Sequence, residues 1–163
     1  MDKSKINFIN VFGDYFYISK VQNDIHDKIF ENYSKMDTSN IKVGSWNYCS
    51  TSSSFFNNEL LCNYEPLDNN NILKDEINKH INIFLECMNS VCNNNINYKF
   101  IIEKLWYNVY KKNDFQETHN HSGKDTFFSF VYILKSKNFN DDSKLFFVNP
   151  KDPIYVLNPF EEI

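Results

Sequence analysis

Glycine is scarce in this sequence, with three in 163 residues, while asparagine, lysine and isoleucine crowd it. That skew is read as the coding bias of an AT-rich genome, not as a low-complexity segment with its own role. Asparagine runs such as Asn69–Asn71 and Asn93–Asn95 then mark loops. Cysteine is sparse as well. The four lie at positions 49, 62, 87 and 92, form no C-x-x-C pair and have no second cluster, so zinc-finger spacing is excluded. Cys87 and Cys92 fall within a helical pattern, where small buried thiols are expected. The N-terminus lacks the apolar core of a signal peptide, and no apolar run reaches membrane-spanning length. A soluble, cytoplasmic protein with reduced thiols is expected, in host cytoplasm if the source is viral. No basic stripe stands out against a net charge of −4, so a dedicated nucleic-acid surface has no support, and no membrane partner is expected. No internal repeat is apparent.

Core material, by contrast, is ample. Sixteen Phe and ten Tyr help raise the hydrophobic fraction to 42%, which argues against wholesale disorder and for one domain over 1–163. Residues 6–18 read as β-like, with a turn at Gly13-Asp14. From 21 to 36, apolar residues recur every three or four positions (Val21, Ile25, Ile29, Tyr33, Met36), which predicts an amphipathic helix with His26 beside its stripe. Residues 37–60 read as a Ser/Thr-rich loop carrying Trp46. A second helix is predicted over about 72–92, with His80 next to its apolar face. The character then changes to strands at 97–110, 126–134, 144–148 and 154–157, separated by turn signals. Helices first and antiparallel strands afterwards predict an α+β fold, with 1–95 as helix-rich support and 96–163 as the sheet.

The chemistry concentrates in 106–134. His119 and His121 stand at i and i+2, so on a strand both imidazoles face one way and can reach one ion. On spacing alone, two polar residues at a strand edge remain the more ordinary reading. The surroundings shift that balance. Trp106-x-Asn108 precedes the pair, Asp114 lies between, and Ser129-x-Val131-Tyr132 follows, with Pro150 beyond. This layout resembles the 2-oxoglutarate/Fe(II)-dependent oxygenases of phages and marine bacteria. The segment GSWNYCS at 44–50 resembles that family's G-G-W-Q-S, so the likeness spans nearly the whole chain.

The resemblance implies a double-stranded β-helix (jelly-roll or cupin-like) with the N-terminal helices packed on the sheet. It implies Fe(II) and 2-oxoglutarate as cofactors, and hydroxylation of an unspecified small-molecule or protein substrate coupled to decarboxylation of 2-oxoglutarate. His119 and His121 are the implied metal ligands, and Asn108, Tyr110 and Ser129 the implied lining of the cosubstrate pocket. The sequence also departs from the family. No His follows His121, and no Arg lies near the C-terminus, where the family has a distal His and then an Arg. Either the chain is a fragment or it is a short relative without that half-site. Asp125, Asp141, Asp142 and Asp152 are candidate third ligands, though no spacing selects one. Open sheet edges would invite self-association. Two other classes stay open: a non-catalytic β-helix module that binds a ligand or partner, and an incidental two-His site for Zn or Ni. A Ser-His-Asp hydrolase is disfavoured, because no nucleophile-elbow pattern accompanies the histidines.

Overall fold

The N-terminal aromatic stretch pairs with itself. Strands β1 (Ile6–Val11) and β2 (Asp14–Ser19) form an antiparallel hairpin whose register runs from Val11↔Asp14 to Ile6↔Ser19. This computed structural model describes residues 6–11, 14–38, 41, 50–67, 71–93, 99–117, 119, 121, 126–135, 145–149 and 152–157. The expected turn is therefore half visible: Asp14 opens β2, and Gly13 lies outside the described residues. The strand period places Phe8, Tyr15 and Tyr17 on one face, where Phe8 stacks on Tyr15 at 5.2 Å between centroids.

Helix α1 (Asn23–Tyr33) is shorter than the 21–36 that periodicity predicts. Gln22 is extended and offers no side-chain cap, and the chain leaves the helix at Ser34. Ile25, Ile29 and Tyr33 face inward as the spacing requires, with Ile29 fully buried. Helix α2 (Ile72–Cys92) occupies the predicted span. Asn71 caps its start by accepting from the Leu73 amide, and a left-handed Asn93 closes its end. The Asn71 amide also donates to the Tyr33 hydroxyl, which ties the end of α1 to the start of α2.

Between the helices lies more structure than the Ser/Thr-rich composition suggests. Strand β3 (Ser52–Ser53), a 3-10 turn at Ser54–Asn57 and strand β4 (Cys62–Pro66) all precede α2. The predicted strand 97–110 is split into β5 (Ile101–Leu105) and β6 (Asn108–Val109). β4 pairs with β5 and β3 with β6, both antiparallel, so strands on either side of residue 95 pair with each other. The 3-10 turn opposite Trp106-Tyr107 explains the split. There the Ser54 amide donates to the Tyr107 carbonyl while the Tyr107 amide donates to Ser54 Oγ, replacing two ladder bonds.

The predicted strand 126–134 carries no ladder among the described residues. Its alternation is present but interrupted: Thr126, Phe128, Tyr132 and Leu134 are partly buried and Phe127, Ser129, Val131 and Ile133 exposed, whereas Phe130, which the period would bury, is exposed as well. Burial against the helices, rather than backbone pairing, produces that pattern. Phe128 packs edge-on to Phe84 and Phe100, and Tyr132 donates to or accepts from His26 Nδ1 at 2.7 Å. Strands β7 (Leu145–Asn149) and β8 (Asp152–Leu157) pair as a further hairpin, with an irregularity between Phe147 and Asn149.

The described residues thus form a mixed α+β fold, with two α-helices and four two-stranded antiparallel sheets that do not close into a barrel among those residues. Its core joins Ile29 of α1, Leu73 and Ile77 of α2, Cys62 of β4, Ile102 of β5 and Leu67. Among the described cysteines, Cys62 is buried; Cys87 and Cys92, expected to be buried, are partly buried and exposed respectively. Lys74, buried on α2, is ion-paired with Glu65 of β4. No described helix is long and apolar enough to cross a membrane.

Candidate functional site

The ribbon made by β3 and β6 continues beyond its ladder. The Ser50 amide and the Thr51 hydroxyl both donate to the Phe115 carbonyl, and the Phe115 amide donates to Ser50 Oγ. Between β6 and Phe115 the chain reverses at Lys111–Asp114. Asn113 is left-handed there, and Asp114 accepts from the Lys111 amide through its side chain. This is the turn that the Lys112-Asn113-Asp114 signal predicts. It fixes the start of the segment that carries Glu117, His119 and His121.

The two histidines meet. His119 Nε2 and His121 Nε2 are 3.1 Å apart, with ring centroids at 4.8 Å and near-perpendicular planes. His119 Nδ1 lies 2.9 Å from the Glu117 carbonyl, which can only accept, so the proton of neutral His119 sits on Nδ1 and its Nε2 lone pair faces His121. Trp106 lies against the His121 ring at 6.1 Å and against Phe55 at 5.2 Å. Desolvation, with a smaller contribution from His119, pushes the proton affinity of His121 below that of an ordinary histidine. Both imidazoles remain open to solvent.

This arrangement has the form of a metal-binding pair. A backbone carbonyl on Nδ1 is the usual partner that orients a ligating histidine through its other nitrogen. For bonds of about 2.0–2.1 Å, adjacent ligand atoms lie roughly 2.9 Å apart in an octahedral shell and roughly 3.4 Å apart in a tetrahedral one. The observed 3.1 Å falls between these values. Glu117, whose carbonyl meets His119, has its carboxylate Oε2 buried with no hydrogen-bond partner among the described residues. Among the described residues, no three of His, Cys, Asp and Glu are grouped to hold a metal ion.

The other expected residues stand as follows. Asn108 is exposed on β6 opposite Ser53, Tyr110 is exposed and donates to Gln116 Oε1 at 2.8 Å, and Ser129 is exposed in the unladdered segment. Asp125, Asp141, Asp142, Pro150 and the segment around Trp46 lie outside the described residues, and Asp152 is the first residue of β8.

A second polar constellation is absent from the sequence reading. His26 and His80, expected at helix surfaces or edges, are both partly buried and bonded. His80 Nε2 is 3.0 Å from Glu76 Oε1, while its Nδ1 faces Tyr17 Oη at 2.6 Å and Ser19 Oγ at 3.0 Å. The i,i+4 spacing of Glu76 and His80 and the i,i+2 spacing of Tyr17 and Ser19 were visible separately. Nothing in the spacing brings the two pairs together.

No protein-family model, curated protein or solved structure matches the chain.

Proposed function

We propose that His119 and His121 are two ligands of a divalent-metal centre in an Fe(II)/2-oxoglutarate-dependent hydroxylase of jelly-roll-like (double-stranded β-helix) type. One observation carries the reading: two Nε2 atoms at 3.1 Å, one of them oriented by a carbonyl on the opposite ring nitrogen. With 2-oxoglutarate and O₂, a bound ferrous ion would supply oxidative chemistry, one oxygen atom going to succinate as CO₂ is lost and the other to a substrate C–H bond. The chain's own part is to hold and orient. The Glu117 carbonyl keeps the His119 lone pair pointed at the site, and Trp106, backed by Phe55, restricts the His121 ring. Glu117, whose buried Oε2 has no hydrogen-bond partner among the described residues, is the nearest carboxylate in sequence and our choice for an oxygen donor. All 17 basic residues are lysines, so a cosubstrate carboxylate would meet an ammonium here rather than the bidentate fork of an arginine.

The absence of a three-donor group among the described residues favours a second reading, a two-His site for Zn or Ni without redox chemistry. Anaerobic calorimetry with Fe(II), followed by 2-oxoglutarate, separates the two. Metal binding that 2-oxoglutarate strengthens, with succinate released in air, supports the hydroxylase. Metal binding indifferent to 2-oxoglutarate supports the second reading, and cosubstrate binding without succinate supports a non-catalytic module. His119→Ala with His121→Ala should abolish metal binding, and Glu117→Gln should weaken it about 10- to 100-fold. A double variant that binds as well as the parent removes the site altogether.

A further inference from the structure

We propose that Ser19 is an acyl-accepting nucleophile, with His80 as its general base and Glu76 as the group that orients His80, and that the site takes carboxylic esters. The three side chains form an unbroken line from β2 to α2. Ser19 Oγ is 3.0 Å from His80 Nδ1, and His80 Nε2 is 3.0 Å from Glu76 Oε1. A nucleophile within hydrogen-bond reach of a base, and a base held by a third group, is the arrangement that activates a serine.

The partners settle the protonation pattern. Glu76 is buried and accepts from Lys79 at 2.7 and 3.0 Å, which supports its carboxylate form. A carboxylate facing Nε2 places the imidazole proton there and leaves the Nδ1 lone pair toward Ser19 and Tyr17. Burial, opposed by Glu76, keeps His80 less basic than an ordinary histidine, so it is neutral at pH 7. The nitrogens are used in the opposite sense to the commonest serine triads, but the roles are the same. All three residues are well framed. β1 and β2 dock on α2 through Phe8 and Tyr17 against Phe84, so the hairpin sets Ser19 over the turn that carries Glu76 and His80.

In acyl transfer, Ser19 Oγ forms a bond to the ester carbonyl carbon while its proton passes to His80 Nδ1. The carbon–alkoxide bond then breaks, and that proton leaves with the alcohol. Water repeats the sequence with its proton on His80, releasing the acid and restoring Ser19. Tyr17 is the competitor: its hydroxyl is nearer to Nδ1, at 2.6 Å, and burial raises its pKa, so it stays a phenol that donates.

The test uses a fluorophosphonate on the full chain, with adduct mass and peptide mapping as the readout. One adduct is expected, on Ser19, with loss of fluoride, and none in Ser19→Ala. His80→Gln should slow labelling about 10²- to 10⁴-fold. Tyr17→Phe, which frees the lone pair, should speed it several-fold. For the unmutated protein, the labelling rate should fall as pH drops and His80 is protonated. The groups facing His80 are Tyr17 and Ser19 from β2 and Glu76 and Lys79 from its own helix. No adduct on Ser19, a rate unchanged in His80→Gln, a rate unchanged or lowered in Tyr17→Phe, or a pH-independent rate in the parent each overturns the proposal. The parent profile decides the matter even if a variant fails to fold.

Discussion

Ile29→Ala is the perturbation that tests the packing most directly. Ile29 is 0% exposed and sits where α1 meets Leu73 and Ile77 of α2, Cys62 of β4 and Ile102 of β5. Truncation removes three carbon groups, worth about 2.4 kcal/mol at about 0.8 kcal/mol for each buried methylene. A cavity contribution comes on top, because elements from both halves of the chain surround the site and cannot all move inward. The expected loss is therefore about 3–4 kcal/mol, within the range of about 2–5 for such changes. Ile29→Val, which removes one group, should lose about 0.5–1.5 kcal/mol. Urea unfolding followed by tryptophan fluorescence measures both, with an unchanged slope showing that the loss lies in the folded state. A loss below about 1 kcal/mol for Ile29→Ala would refute the reasoning, since it would mean that the gap closes or that the elements do not converge there.

Two further stability experiments probe the buried polar groups. Burial depresses the folded-state pKa of His80 below the ordinary value of about 6.5, so the unfolded chain binds that proton more readily. Its contribution is fully present above about pH 6.5 and is lost as pH falls below it; the urea midpoint should drop on that limb, and His80→Gln should flatten it. For the Lys74–Glu65 pair, the hydrogen bond to Glu65 raises the lysine's pKa, and the lysine is the more buried partner. Glu65→Gln should therefore cost more than Lys74→Met, because the first leaves an uncompensated buried ammonium and the second replaces it with an apolar chain. Equal losses in a double-mutant cycle would refute that ordering.

What could be read in advance follows the range over which the determining forces act. Helix α2 was legible because Leu73, Ile77, Ile81, Phe84 and Leu85 repeat on one face and Asn71 and Asn93 close its ends, all within one stretch of chain. The β7–β8 hairpin was legible for the same reason. β3 and β4 were not, since Ser52–Ser53 and Cys62–Pro66 become strands only through partners that lie far along the chain, on the other side of α2. The segment 126–134 shows the converse. Its alternation records burial at Phe128, Tyr132 and Leu134 but not at the exposed Phe130, and alternation does not say whether the backbone is paired. Among the site residues, His119 and His121 could be placed together because a single residue separates them. The Ser19–His80–Glu76 line joins residues 61 apart and left only two unconnected spacings to see.

Trp106 shows why the ribbon is interrupted where it is. In an unbroken strand from Ile101 to Val109, the ladder would continue through Trp106 and Tyr107 to the partner strand. Instead Ser54 takes both backbone bonds of Tyr107, and the 3-10 turn beside it brings Phe55 onto one side of the indole. The indole's remaining reach is toward His121. Trp106 packs on Phe55, and through that packing it forms one wall of the imidazole pair. What this corner secures is the position of a ring rather than a backbone bond, so a break in the ladder that would weaken an ordinary sheet instead holds a wall beside His121.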